Sequence, residues 1–206
     1  MDKINIEKIK CPGKYFSYQD LKTITFSGVL SLCPLDYSVL QDDNDVKVLE
    51  MITQDESVLK YIPGFNLNGG SMMKFLSYGC LKAEYGLSFS YLLKYNSMII
   101  GLFVIDTPAF SELHGGHDWM ISFCVFKPLE GRGLMSAAMP NLLQYLKTDI
   151  GVKQIFAVVD EGNERSANFL AKFCFNKVDN SNIFWSNGNK SKPIRYCCDL
   201  ENIEFV

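Results

Sequence analysis

The stretch from Met120 to Phe175 constrains this chain more than any other. It begins with an apolar run, Met120 to Phe126, that stops at Lys127-Pro128 and leads into Leu129-Glu130-Gly131-Arg132-Gly133-Leu134. A proline that cannot continue a ladder, then two glycines one residue apart, makes a tight turn into a helix start. From Leu134 to about Lys147 the apolar residues Leu134, Ala138, Leu142 and Leu146 recur at steps of four, with Met135 and Met139 beside them. That stripe is a core-facing helix, which Pro140 is expected to kink. Ile155 to Val159 is apolar at every position, as befits a central strand covered on both faces. Asp160-Glu161-Gly162-Asn163 then opens a second helix running to about Phe173.

The front half has a different rhythm. Leu87, Phe89, Tyr91, Leu93 and Tyr95 alternate with smaller or polar residues, the pattern of a half-buried strand. Asn96-Ser97 turns the chain into a second strand, Met98 to Ile105, giving an antiparallel hairpin. A further strand is expected from near Thr25 through Leu32, and a Pro/Gly-rich loop from Pro108 to Gly116. Asp42-Asp43-Asn44-Asp45 reads as the acidic start of a helix over Val46 to Met51, and Ser71 to Tyr85 as another helix. Later strands are expected near Ile183 to Trp185 and Arg195 to Leu200. Residues 1–25, with a turn at Cys11-Pro12-Gly13, read as an N-terminal extension ahead of a single domain over 26–206. The class is α/β (α+β): a mixed central sheet with an antiparallel front half and a strand–helix–strand–helix back half.

Composition removes several function classes. The 206 residues are 48% apolar and 21% charged, ordinary for a globular domain. A net charge of −3 argues against general nucleic-acid binding, which needs a basic excess. The longest apolar run, Ser97 to Ile105, is far short of the ~20 residues of a membrane helix, and no signal peptide is visible. Seven cysteines without a CxxC pair read as reduced thiols and a cytoplasmic location.

The glycine turn carries the chemistry. A helix start of this kind leaves about four amides unpaired at the positive end of the helix dipole, ready for an anion such as pyrophosphate. The Rossmann pattern is missing its third glycine, since Ser136 stands there, and no Gly-Lys-Ser/Thr of a Walker loop occurs. The whole arrangement includes a strand, Gly131-x-Gly133 at a helix start, some thirty residues, a central strand, Asn163-x-x-Ser166 and a Lys172-x-x-Phe175 helix end. It resembles the GNAT superfamily of acetyl-CoA-dependent N-acyltransferases, most of all the RimJ/RimL type. The likeness is most specific from Met120 to Phe175 and runs more loosely back to Val29.

The resemblance implies an N-acetyltransferase that moves acetyl from acetyl-CoA to a primary amine, a peptide N-terminus or a small amine, in a ternary complex. A silent CoA-binding regulatory module is the alternative. It implies that the pyrophosphate sits on the amides of Arg132, Gly133, Leu134, Met135 and Ser136 after Gly131. The pantetheine pairs with the backbone at Phe123 and Val125 and touches Asn163. Three positions depart from the pattern: Pro128 where a Gln or Arg often stands, Cys174 in place of a glycine, and Leu170 where many members carry a tyrosine acid. His117 and Asp118, at the entry of the cofactor strand, are the candidate bases, and Ser166 is the nearest hydroxyl to assist. His114-Gly-Gly-His117 offers two imidazoles without helical rigidity or a third ligand, so no metal is expected. Replacing Gly133 is expected to weaken cofactor binding while sparing the melting temperature. Oligomeric state is left open, a homodimer included.

Overall fold

The computed structural model describes residues 18–113, 116–178 and 192–204. Eight strands form one sheet in the order β1-β2-β3-β4-β5-β6-β8-β7. These are β1 (Ile24–Ser27), β2 (Leu30–Pro34), β3 (Ser88–Tyr95), β4 (Met98–Asp106), β5 (Met120–Val125), β6 (Gln154–Asp160), β7 (Asn176–Val178) and β8 (Pro193–Asp199). Every neighbouring pair is antiparallel except β5 and β6, which run parallel. The mixed sheet with an antiparallel front half is therefore as expected. The strand expected near Ile183 lies outside the described residues, as does His114.

Helices cover both faces of this sheet. On one side lie α1 (Asp43–Thr53), α2 (Glu56–Leu59) and α3 (Met72–Glu84), whose Leu49, Ile52, Leu76 and Cys80 pack with Leu92, Leu102 and Cys124 of the sheet. On the other lies α5 (Leu134–Tyr145), whose Ala138, Met139, Leu142 and Leu143 are fully buried against Phe89, Tyr91, Leu93 and Phe103. This three-layer arrangement corrects the half-buried reading of β3. Leu92 and Ser88, the residues between its large apolar ones, are only 3% and 2% exposed because the first helix layer covers them. The acidic run is a helix start: the Asp42 side chain accepts from the amides of Asn44 (2.8 Å) and Asp45 (3.4 Å).

Four further expectations change. The single strand from Thr25 to Leu32 is two strands, because Gly28-Val29 reverses the chain between Ser27 and Leu30. The loop after Pro108 holds α4 (Pro108–Glu112), with Pro108 at its first turn, where a missing N–H is harmless, and Thr107 as cap. In β6, Ile155, Ala157 and Val159 are buried while Phe156 and Val158 are half-buried, and Val158 borders a cleft. Residues 18–25, placed in the extension by sequence, lie against the sheet: the Tyr91 and Tyr145 hydroxyls donate to the carbonyls of Lys22 (3.0 Å) and Asp20 (3.3 Å).

Just past α6 (Glu164–Ala171) the chain takes left-handed backbone at Cys174, at φ 60°. The Phe175 amide donates back to the Leu170 carbonyl at 3.3 Å, a closure that favours glycine at the position before it. The missing glycine noted in the sequence thus leaves a strained cysteine. Replacing Cys174 by Gly should relieve about 1 kcal/mol and raise the melting temperature by about 2–4 °C, read by calorimetry. An unchanged or lower value would mean that the turn is held by other contacts.

Candidate active site

β5 and β6 meet at one register position, Met120 opposite Phe156, where the Phe156 amide donates to the Trp119 carbonyl at 2.8 Å. Beyond it they part. Antiparallel pairing fixes which way each β5 residue points: the Phe126 amide donates to Ile100 of the β4 side at 2.8 Å, so even-numbered residues bond β4. The N–H and C=O groups of Phe123 and Val125 therefore face the side where β6 has moved away. The same alternation, set by Leu200 donating to Lys153 at 2.8 Å, turns the backbone of Val158 toward the gap from the β6 wall. A gap between parallel strands with unpaired backbone on its walls is a slot for an extended, amide-bearing chain.

The slot opens onto the start of α5. Gly131 and Gly133 both take left-handed backbone, at φ 74° and 76°, and Gly133 is the cap residue, with no side chain bonded to the first amides. The first helical bond is Ala137 to Gly133, at 2.9 Å. The amides of Leu134, Met135 and Ser136 are thus left over at the helix start, and all three residues line the cavity. An ion pair from Arg165 to Glu130 ties this loop to the first turn of α6.

At that first turn the two ends of the Asn163 side chain differ. Its Oδ1 caps α6 by accepting from the Ser166 amide at 3.2 Å. Its Nδ2 has no acceptor among the described residues, and Asn163 lines the cavity. Beyond it, Phe169 packs against Phe123 with centroids 4.9 Å apart and the rings tilted by 50°. Strand gap, glycine turn and Asn163 all line one cavity of about 1160 Å³, which continues between the strands to the α2–α3 side of the sheet.

The description "Acetyltransferase (GNAT) domain" matches residues 39–176, 138 of the 206 in the chain. The chain belongs to the GNAT acetyltransferase family. As a member it is an N-acetyltransferase that uses acetyl-CoA. No curated protein sequence matches it. Solved structures share the fold at low identity. A RimL ribosomal L7/L12 alpha-N-protein acetyltransferase in complex with coenzyme A is 13% identical with a TM-score of 0.68, over 86% of this chain and 98% of that one. A Salmonella typhimurium acetyltransferase that modifies the N-terminal serine of ribosomal protein L7/L12 is 15% identical with a TM-score of 0.66, over 86% and 99%. The microcin C7 self-immunity acetyltransferase MccE, in complex with acetyl-CoA and AMP, is 14% identical with a TM-score of 0.63, over 84% and 94%.

In this GNAT acetyltransferase the two candidate bases part company. The His117 side chain is 81% exposed, sits 3.4 Å from Glu112 and does not line the cavity. Asp118 does line the cavity and is ion-paired with Arg195 of β8, whose guanidinium lies 4.1 Å from the Phe156 ring centroid. Ser166 lines the cavity from α6; Leu170 is fully buried there and donates no proton. Lys82, Asp106, Ser111 and Arg195 reach the same cavity without having been singled out in the sequence. No helix among the described residues is long and apolar enough to cross a membrane.

One substitution separates the two halves of Asn163. In Asn163→Asp a carboxylate oxygen still caps α6, and its charge suits the helix start, so the melting temperature should hold or rise. The donor is lost, and a pantetheine carbonyl would face a carboxylate with no N–H. Acetyl-CoA affinity should fall about five- to a hundred-fold, measured by calorimetry. Unchanged affinity would leave Asn163 a cap alone.

Proposed function

We propose that this acetyltransferase transfers acetyl from acetyl-CoA to a primary amine, on a peptide N-terminus or a small molecule, by direct attack in a ternary complex. One observation carries the reading: a single cavity joins the unpaired β5 edge and the α5 amides to a second wall made by α2, α3 and α4 on the opposite side of the sheet. Co-substrate and acceptor then approach from different sides and meet where β5 and β6 diverge. The neighbours named above, one acting on a protein N-terminal serine and one holding acetyl-CoA and AMP, support both kinds of acceptor.

Acetyl-CoA supplies an activated thioester carbonyl, and the chain positions it. The β5 edge at Phe123 and Val125 pairs the pantetheine, Asn163 donates to it, and the amides from Arg132 to Ser136 take the pyrophosphate. Backbone N–H groups of β5 stand where negative charge develops on the carbonyl oxygen. An acceptor amine, with pKa ~8 for an α-amine or ~10.4 for a lysine, must lose a proton before it attacks, and Asp118 faces that task from the cavity wall. The departing thiol has a pKa of ~8.5, so it leaves as a thiolate with Ser166 at hand and without a tyrosine. Thiol release across a panel of amines tests the reading. Release with one class of amine and none without it is the expected result; tight acetyl-CoA binding with no release for any amine would point to the silent binding module.

A further inference from the structure

Lys82, near the C-terminal end of α3, lines the acceptor wall of the cavity. Its ammonium lies 5.3 Å from the Tyr78 ring centroid and 5.0 Å from that of Phe110 on α4, so two aromatic faces replace part of its hydration. Among the described residues it makes no ion pair. Burial holds its pKa below the ordinary lysine value, against an opposing pull from Asp106 through space. Asp106 stands opposite Met120 in register, at the position where β5 and β6 meet, which is the closed end of the strand gap. The acceptor wall therefore presents a carboxylate at the point of reaction and an ammonium set back from it among aromatic rings.

We propose that Lys82 selects acceptors carrying an anionic group, a carboxylate or a phosphate, a few bonds from the reacting amine. Asp106 attracts the ammonium end of such an acceptor, and Lys82 receives the anion that a neutral or basic acceptor lacks. A half-desolvated lysine with no ion-pair partner among the described residues gains most from a ligand that completes its shell, because burying a charge is costly unless it is paired. The inference rests on the acetyl-transfer reading above and narrows its acceptor.

The experiment keeps the two apart. Acetyl-CoA affinity of the full chain is measured first by calorimetry; no binding would sink the transfer reading itself. Values of kcat/KM are then compared for Ala-Glu, Ala-Gln and Ala-Lys tetrapeptide amides, for a phosphoserine peptide and for free alanine, which separate side-chain carboxylate, phosphate and α-carboxylate as the source of charge. The wild-type chain should favour at least one anionic acceptor over its neutral counterpart by about ten- to a hundred-fold. Lys82→Met should erase that ratio, Lys82→Glu should shift preference to Ala-Lys, and Lys82→Arg should retain it. A wild-type chain with no preference for anionic acceptors overturns the proposal, whatever the variants do. So does an unaltered ratio in Lys82→Met with acetyl-CoA affinity intact, or an equal loss for every acceptor accompanied by a moved pH profile, which would make Lys82 a base.

Discussion

Gly133→Val should weaken acetyl-CoA binding by a hundred-fold or more and should also lower the melting temperature. Gly133 sits at φ 76°, immediately before the first helical residue of α5, and a Cβ built there meets no protein atom within 4 Å. Space inside the protein is thus no obstacle; the backbone is. A β-branched residue in left-handed conformation costs roughly 1–2 kcal/mol, which in a chain of this size is about 2–8 °C. This revises the expectation from sequence that stability would be spared. Gly133 lines the cavity together with Leu134, Met135 and Ser136, so a side chain added there would share the space that the pyrophosphate needs. Losing two such charge-assisted bonds at about 1.5–3 kcal/mol each accounts for the hundred-fold. Gly133→Asn separates the causes, because asparagine tolerates left-handed backbone. The asparagine variant should melt close to wild type and still bind poorly. If it binds acetyl-CoA normally, the turn is structural and the anion lies elsewhere.

The back half was legible because its constraints are local. Two glycines that must adopt positive φ, a stripe at steps of four and an all-apolar strand each follow from backbone geometry over a few residues, and Gly131, Gly133 and the α5 stripe fall where the sequence put them. Pattern alone was weaker at β3, where alternation of Phe89, Tyr91 and Leu93 with smaller residues concealed a second helix layer covering Leu92 and Ser88. What failed to show was whatever needed distant partners. Lys82 and Arg195 lie more than a hundred positions apart in sequence yet line one cavity, and nothing near either marks it as a site residue. His117 likewise sits exposed beside Glu112 and outside the cavity, which its position next to Asp118 does not reveal. The departure at Cys174 was visible as a missing glycine, but the φ of 60° that makes it costly belongs to the folded chain.

Of the two bases named from sequence, Asp118 should matter and His117 should not. His117→Ala removes an exposed ring outside the cavity, so kcat/KM at pH 7 should stay within about twofold, as surface changes usually do. Asp118→Asn keeps the side-chain volume but takes away the proton acceptor on the cavity wall. Without it the amine must shed its proton to water before it attacks, so the rate should fall about a hundred-fold at pH 7 and recover toward alkaline pH. The ion pair with Arg195 complicates a reading from rate alone. Arg195 is only 14% exposed in its side chain, and the variant leaves its charge without a carboxylate partner at that contact, so some stability will be lost whatever the chemistry. The pH profile resolves this. If Asp118 merely holds Arg195 in place, the variant melts lower and turns over more slowly by the same factor at every pH. If Asp118 takes the proton, the deficit shrinks as the pH rises toward the amine's own pKa, because solvent then supplies the free amine. Rates at pH 7 untouched in both Asp118→Asn and His117→Ala would remove both from the reaction and leave the ammonium proton to solvent water.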